Sequence, residues 1–372
     1  MLKLRRVLIM AGGTGGHVFP GLAVAKCMQA QGVEVNWLGT RKGLEATLVP
    51  DAGIPIHFIS ISGVRGKGIK DLLLAPFRLT LAVWQAIRII RQLQPDVVLG
   101  MGGFASGPGG IASWLLRCPL VVHEQNAKPG TTNKALARVA SKVLEGFPNT
   151  FLNRHNTLTV GNPVRKEIIE LLGPKLKNRK INPESLHLLV LGGSLGATAI
   201  NQLLPQALAK LPENLRPNVY HQAGEKHHAD TVAAYQHAGV KANVVPFIKT
   251  MDQAYAWADL VLCRAGALTV AELCAAGVGA ILVPFPHAID DHQTANATFM
   301  AKNDAALLIQ QNALNADNLA DILQEFVQSP SRFETMANAA YELRKIDATE
   351  KVLSVCEEVC QSDVTEKKVN NV

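Results

Sequence analysis

The stretch Val7-Leu8-Ile9-Met10-Ala11-Gly12-Gly13-Thr14-Gly15-Gly16-His17 decides the fold of this 372-residue chain. A short apolar strand runs into glycines, and the glycines open a helix. Such a turn aims the free N–H groups of the next helix at one point, where phosphate oxygens bind. The design returns half a chain later, where Leu188-Leu189-Val190-Leu191 leads into Gly192-Gly193-Ser194-Leu195-Gly196-Ala197. One glycine turn also serves a plain strand-to-helix connection. A matched pair predicts two Rossmann-like, doubly wound α/β halves with parallel sheets, facing across a cleft that takes ligands at the strand ends.

Working outward, strands and helices alternate throughout. Glu34–Leu38, His57–Ser60, Val97–Leu99 and Leu120–His123 read as strands of the first half, with helices over Pro20–Gln31 and Thr131–Ala140. In the second half Leu188–Leu191, Asn218–Gln222, Asn243–Pro246, Leu260–Cys263 and Ala280–Val283 read as strands. Gly161-Asn162-Pro163 punctuates the chain and marks a hinge. The expected division is therefore 1–163 and 164–341, with a helix at about 342–360 crossing back to the first domain. The polar stretch 361–372 reads as a disordered tail.

Composition agrees with two buried α/β domains: 48% of residues are hydrophobic and 18% charged. The six cysteines form no CxxC pair, which favours core packing and a reducing compartment over disulfides or zinc. Lys3, Arg5 and Arg6 precede an apolar run of strand length only, so no targeting segment is expected. The net charge of +7 is unevenly placed. Residues 1–163 hold 18 Lys and Arg against 7 Asp and Glu, whereas residues 164–372 hold 19 against 23. The first half therefore expects an anionic partner. Nucleic acid is disfavoured, because only 5% of residues are aromatic and no binding motif is present.

An anionic membrane face is the better candidate. Between Gly63 and Gln92, Arg65, Lys67, Lys70, Arg78, Arg88 and Arg91 interleave with Leu72, Leu73, Leu74, Phe77 and Trp84. Basic residues around apolar ones describe a patch that rests at a headgroup interface without spanning it. Leu72, Leu73, Phe77 and Arg78, in a stretch broken by Pro76, are the expected contacts, and Trp114 extends them. Leu79 to Ile90 reads as a helix whose apolar residues are mostly core.

The motifs GGTGGH, SGVRGKG, GMGGFASGPGG, HEQNAKPG, GNPVR, GGSLGA, RAGALTVAEL and VPFPHAIDDHQTANA occur in this order from Val7 to about Leu353. In that register the chain resembles the MurG transferase family. The resemblance implies a GT-B fold, with an N-terminal acceptor and membrane domain and a C-terminal donor domain. It implies an inverting transfer of N-acetylglucosamine from UDP-GlcNAc to the C4 hydroxyl of MurNAc in undecaprenyl-pyrophosphoryl-MurNAc-pentapeptide (lipid I), giving lipid II. It implies a peripheral location on the cytoplasmic face of the bacterial inner membrane, and cell-wall synthesis and division proteins as partners.

Carried over residue by residue, the resemblance makes Thr14, Gly15 and Gly16 a backbone cradle and gives Asn126 the hydroxyls or acetamido group of the sugar. Arg165 would reach the donor's phosphates, and Ser194 would hydrogen-bond the diphosphate. The Ile248 backbone would read the uracil edge. Ala267, Leu268 and Thr269 begin a helix suited to the departing UDP. Glu272 would grip the ribose hydroxyls, and Gln293 would bind sugar hydroxyls.

The reaction needs a base at the attacking hydroxyl and positive potential at the leaving diphosphate. His17, next to the first turn and with an ordinary pKa near neutrality, is the candidate base. Its other reading is a helix-start residue that positions backbone or phosphate. Glu124 is the reserve base. The chain holds no Asp-x-Asp, so no metal or other cofactor is expected. Two alternatives stay open. One is a related two-domain UDP-sugar enzyme with another acceptor, or an epimerase; the other is a nucleotide-binding oxidoreductase. Against the latter, Asn36-Trp37-Leu38-Gly39-Thr40 offers no acidic residue in the usual ribose position.

Overall fold

Val7, Leu8, Ile9, Met10 and Ala11 are wholly buried, so apolar side chains fill both faces of their strand, as the centre of a parallel sheet requires. The computed structural model describes residues 4–61, 69–152, 154–171, 173, 186–193 and 196–369, with the backbone alone for 69–73, 289, 330 and 363–369. The chain divides into two units, Met1–Arg165 with Ile346–Val372, and Lys166–Lys345.

The first unit runs β1 (Arg6–Ala11), α1 (Gly15–Ala30), β2 (Glu34–Gly39), α2 (Glu45–Asp51), β3 (Ile56–Phe58), α3 (Ile69–Leu93), β4 (Val97–Gly102), α4 (Ser106–Leu115), β5 (Leu120–Glu124), α5 (Thr131–Leu136), β6 (Lys142–Glu145) and β7 (Thr157–Thr159). Its seven strands are all parallel and lie in the order β3-β2-β1-β4-β5-β6-β7. The order reverses direction between β1 and β4, and that switch point is where such sheets bind ligands.

The second unit runs α6 (Lys166–Ile169), β8 (His187–Leu191), α7 (Thr198–Lys210), β9 (Asn218–Gln222), α8 (His228–His237), β10 (Asn243–Val245), α9 (Met251–Trp257), β11 (Leu260–Cys263), α10 (Ala267–Ala276), β12 (Gly279–Leu282), α11 (His292–Ala301), β13 (Ala306–Leu308), α12 (Ala316–Gln328) and α13 (Pro330–Glu342). Its six parallel strands lie in the order β10-β9-β8-β11-β12-β13, with the switch between β8 and β11. Both glycine turns therefore sit at switch points, each following the strand from which its sheet grows in two directions.

A final helix, α14 (Ala348–Val369), returns to the first unit. Val352, Val355, Cys356, Val359 and Cys360 recur at helical spacing, and all five join the core that holds β1 and α1. Burial pushes the Cys356 thiol up to about 12, as expected of an inert core cysteine.

Several boundaries differ from the sequence reading. Helix α14 begins at Ala348, and α13 before it belongs to the second unit, where Met336 packs into the core and lies against Gly279. The expected disordered tail from Gln361 is helical to Val369. Its glutamates and lysines are good helix formers, so polarity alone did not end the helix. The first unit extends to Arg165, past the Gly161-Asn162-Pro163 hinge, because Val164 is buried and the Arg165 guanidinium lies 5.6 Å from the Phe19 ring. Helix α3 runs through Pro76 without a break. β6, β7 and β13 escaped sequence reading.

Candidate active site

In the first unit the site is built on the turn after β1. Its buried support is Glu45, which is 0% exposed. The Glu45 carboxylate accepts from Gly13 N–H and Thr40 N–H at 2.9 Å, and from the Thr40 hydroxyl at 2.8 Å. Thr14 is the N-cap of α1 without a side-chain cap bond, and its carbonyl accepts from His17 N–H and Val18 N–H. Thr14, Gly15, Gly16 and His17 are thus one folded helix start.

The glycines after β4 have a different use from the one their composition suggests. A β-carbon on Gly102 would lie 2.7 Å from His17 Nδ1, and one on Gly103 would collide with the Gly12 carbonyl. Both have positive φ, +100° and +87°. These glycines let the β4 turn approach the β1 turn and the His17 ring closely.

The end of β5 supplies the rest. His123, Glu124 and Gln125 are all 1% exposed or less. Along a strand, alternate residues share a face, so His123 and Gln125 point one way and Glu124 the other. His17 Nδ1 lies 2.9 Å from Gln125 Oε1, Gln125 Nε2 lies 3.1 Å from His123 Nδ1, and His123 Nε2 lies 2.9 Å from the Gly161 carbonyl. Burial holds the His123 pKa down at about 4, so its ring is neutral at physiological pH.

Glu124, the reserve base of the sequence reading, is held by hydrogen bonds on both carboxylate oxygens. It accepts from Asn126 N–H at 2.9 Å, Asn126 Nδ2 at 3.1 Å, Gly130 N–H at 3.0 Å and Asn133 Nδ2 at 2.9 Å. It orders the 126–130 loop and presents Asn126.

In the second unit the sequence-predicted residues gather at the strand C-termini. Gly192 N–H donates to the Gln222 carbonyl at 3.0 Å, which fastens the second turn to β9. Beneath it, His221 bridges Asn201 Oδ1 and the Tyr235 hydroxyl, each at 3.0 Å, and Asn201 Nδ2 donates to the Ala223 carbonyl. Burial lowers the His221 pKa to about 3. Ser194 lies outside the described residues, as do the side chains of Leu72 and Leu73 and the whole SGVRGKG motif.

Ala267, Leu268 and Thr269 open α10 behind Gly266, an N-cap without a side chain to occupy the first N–H groups of the helix. Glu272, one turn further, is buried and accepts from the Tyr255 hydroxyl at 3.1 Å. Gln293 Oε1 accepts from Phe285 N–H at 2.9 Å. Ile248 N–H donates to Gln222 Oε1 at 3.0 Å. Arg165 departs from the expectation of a donor-domain residue: it belongs to the first unit, stacked on Phe19. The sequence reading gave no role to Glu45, Asn133 or Gln222, and singled out His123 and Gln125 only as members of the polar HEQN strand end. The alternation in HEQN was the signal available for Gln125; Glu45 had none beyond the glycines Gly39 and Gly43 that press against it.

The chain matches the model of the glycosyltransferase family 28 N-terminal domain over residues 7–145 and that of the family 28 C-terminal domain over residues 187–352. It is 54% identical over 354 residues to a Pseudomonas fluorescens protein and 55% identical over 354 residues to one from Nitrosococcus oceani. Each alignment covers 95% of this chain and 98% of the relative. Both relatives are called UDP-N-acetylglucosamine--N-acetylmuramyl-(pentapeptide) pyrophosphoryl-undecaprenol N-acetylglucosamine transferase. Among solved structures, the MurG of Acinetobacter baumannii matches with a TM-score of 0.81 at 42% identity, covering 95% of this chain and 99% of that one. A UDP-N-acetylglucosamine 2-epimerase shares the fold alone, with a TM-score of 0.63 at 10% identity, over 94% of this chain and 95% of its own. With both family 28 domains present and full-length relatives above half identity, the chain belongs to the MurG transferases of glycosyltransferase family 28, α/β enzymes of the GT-B type.

Proposed function

We propose that this chain is a UDP-GlcNAc-dependent hexosyltransferase that moves GlcNAc, with inversion, to the C4 hydroxyl of MurNAc in lipid I and so forms lipid II. The observation that carries this reading is a pairing of two different devices in one chain. A histidine is fixed at the switch point of the first sheet, and an uncapped helix start stands at the switch point of the second. The first is suited to remove a hydroxyl proton, the second to stabilise the diphosphate as it leaves.

His17 takes the proton as the hydroxyl attacks the anomeric carbon, while Asn126, held by Glu124, binds the sugar's polar groups. Thr14, Gly15 and Gly16 line the same turn. On the donor side Ser194 and the N–H groups of Ala267, Leu268 and Thr269 meet the diphosphate, Glu272 the ribose hydroxyls, Ile248 the uracil edge and Gln293 the sugar. Arg165 is the cation assigned to the donor's phosphates. No metal takes part: the chain has no Asp-x-Asp, and the helix start supplies the positive potential a metal would.

The enzyme works as a peripheral protein at the cytoplasmic face of the inner membrane, where cell-wall synthesis and division proteins are its partners. No helix among the described residues is long and apolar enough to cross a membrane. Helix α3 instead exposes Leu74, Phe77, Leu79, Leu81 and Trp84, and α4, packed against it, exposes Trp114 and Leu115. Phe77 is 77% exposed, and Arg88 stacks on Trp84 at 4.9 Å. Of Leu79 to Ile90, expected to be mostly core, the helix buries Ala82, Ala86 and Ile90 and packs Ile87 and Ile89 against them, whereas Leu79, Leu81 and Trp84 are exposed. Leu72, Leu73 and Arg78 lie on the same helix. Purified protein given labelled UDP-GlcNAc and lipid I should yield labelled lipid II, and release of free sugar alone would overturn the reading.

A further inference from the structure

We propose that Gln125 and His123 are positioning residues for the base: a hydrogen-bonded chain anchored on the Gly161 carbonyl fixes His17 as its Nδ1–H tautomer and leaves the Nε2 lone pair for the acceptor hydroxyl. The inference rests on His17 being the base and joins three motifs, GGTGGH, HEQN and GNPVR, into one device.

The direction of every bond follows from its carbonyl ends. The Gly161 oxygen can only accept, so His123 Nε2, 2.9 Å away, carries the hydrogen. A neutral imidazole has one N–H, so His123 Nδ1 is an acceptor. The Gln125 amide nitrogen faces it at 3.1 Å and faces the His123 carbonyl at 3.4 Å. Both partners accept, which places the NH₂ on that side and turns Oε1 to His17 Nδ1 at 2.9 Å. An amide oxygen only accepts, so His17 Nδ1 donates. The hydrogen bond at one ring nitrogen thereby sets the state of the other.

The surroundings keep this order. His123 is fully buried and neutral, with its pKa near 4. The charged and titratable groups acting on it are Glu124, which favours its protonation, and His17, which opposes it. Asn162 Nδ2 holds the Gln125 carbonyl at 3.0 Å, and Gly102 leaves room for the His17 ring. An imidazole side chain in water favours the Nε2–H form, so the chain imposes the less common tautomer. A carboxylate would do the same while drawing His17 toward its protonated state; a neutral amide orients the ring without doing so.

The test is nitrogen NMR of ¹⁵N-histidine-labelled full-length protein, with the His17 signals assigned by their loss in His17→Ala. Neutral His17 should show a protonated Nδ1 and an unprotonated Nε2. Gln125→Leu should move it toward the Nε2–H form and lower kcat by roughly ten- to a hundredfold with little change in UDP affinity. Gln125→Glu, which keeps an acceptor in place, should retain the Nδ1–H form. A wild-type His17 that is protonated at Nε2 overturns the inference, and it needs no variant to fold. A correct tautomer combined with full turnover in His17→Ala overturns the base assignment beneath it, so the two failures are distinguishable.

Discussion

The two glycine turns look alike in sequence and rest on opposite foundations. Under the first lies the carboxylate of Glu45, which takes the Gly13 N–H for itself. Under the second lie neutral groups, the Gln222 carbonyl and the buried imidazole and amide of His221 and Asn201. Each turn has an N–H already bonded within the fold, Gly13 to Glu45 and Gly192 to the Gln222 carbonyl, but a buried carboxylate repels a second anion nearby where neutral groups do not. The difference teaches that a glycine turn is not by itself a phosphate site. The first turn shapes the start of α1 and seats His17, and the proposed reading gives the diphosphate to the second turn and the start of α10.

The strongest way to break this comparison is to remove the base. His17→Ala should lower kcat by a factor on the order of 10² or more while donor affinity changes little. Retained turnover with lost donor binding would make the first turn a binding site like the second. Next in size is Glu272→Ala, which should weaken UDP-GlcNAc binding by about 1.5–3 kcal/mol, far more than lipid I binding. Equal losses for both substrates would move Glu272 out of the donor unit's site. Glu45→Ala should cost about 1–3 kcal/mol in urea-unfolding stability, because buried donors lose their acceptor. A variant as stable as the parent would mean that Glu45 does not hold the turn. The smallest effect is expected from chelation: turnover should survive excess EDTA, and complete loss restored by magnesium or manganese would contradict the metal-free account.

Much of this was legible in the residues, for reasons that can be named. Apolar runs ending in glycine expose β1 and β8 because a strand buried on both faces has no polar alternation to blur it. The strand ends at His123-Glu124-Gln125-Asn126 and Arg264-Ala265-Gly266 were visible in the same way. What stayed hidden depends on contacts between distant segments. Glu45 meets Gly13 across 32 residues, and His123 meets Gly161 across 38, and neither spacing has a local period. The hydrogen bonding of Glu124 was hidden too, because its donors come from Asn126 and Gly130 of a loop and from Asn133 of α5, which the carboxylate brings together. On α3, Ala82, Ala86 and Ile90 face the core while Leu74, Phe77, Leu79, Leu81 and Trp84 face outward. Reading hydrophobicity by size misplaces the N-terminal part of that helix.

The division of labour between the turns is tested most directly by measuring UDP affinity and kcat in Gly13→Ala and Gly193→Ala. The two glycines have φ of +89° and +74°, and a β-carbon at either meets nothing within 4 Å, so each substitution strains its turn without a clash. Left-handed strain of this kind is worth roughly 1–2 kcal/mol, or about tenfold in an equilibrium. The account predicts that Gly193→Ala weakens UDP by about that factor, while Gly13→Ala lowers kcat and leaves UDP affinity within about twofold. Equal weakening of UDP by both substitutions would contradict it.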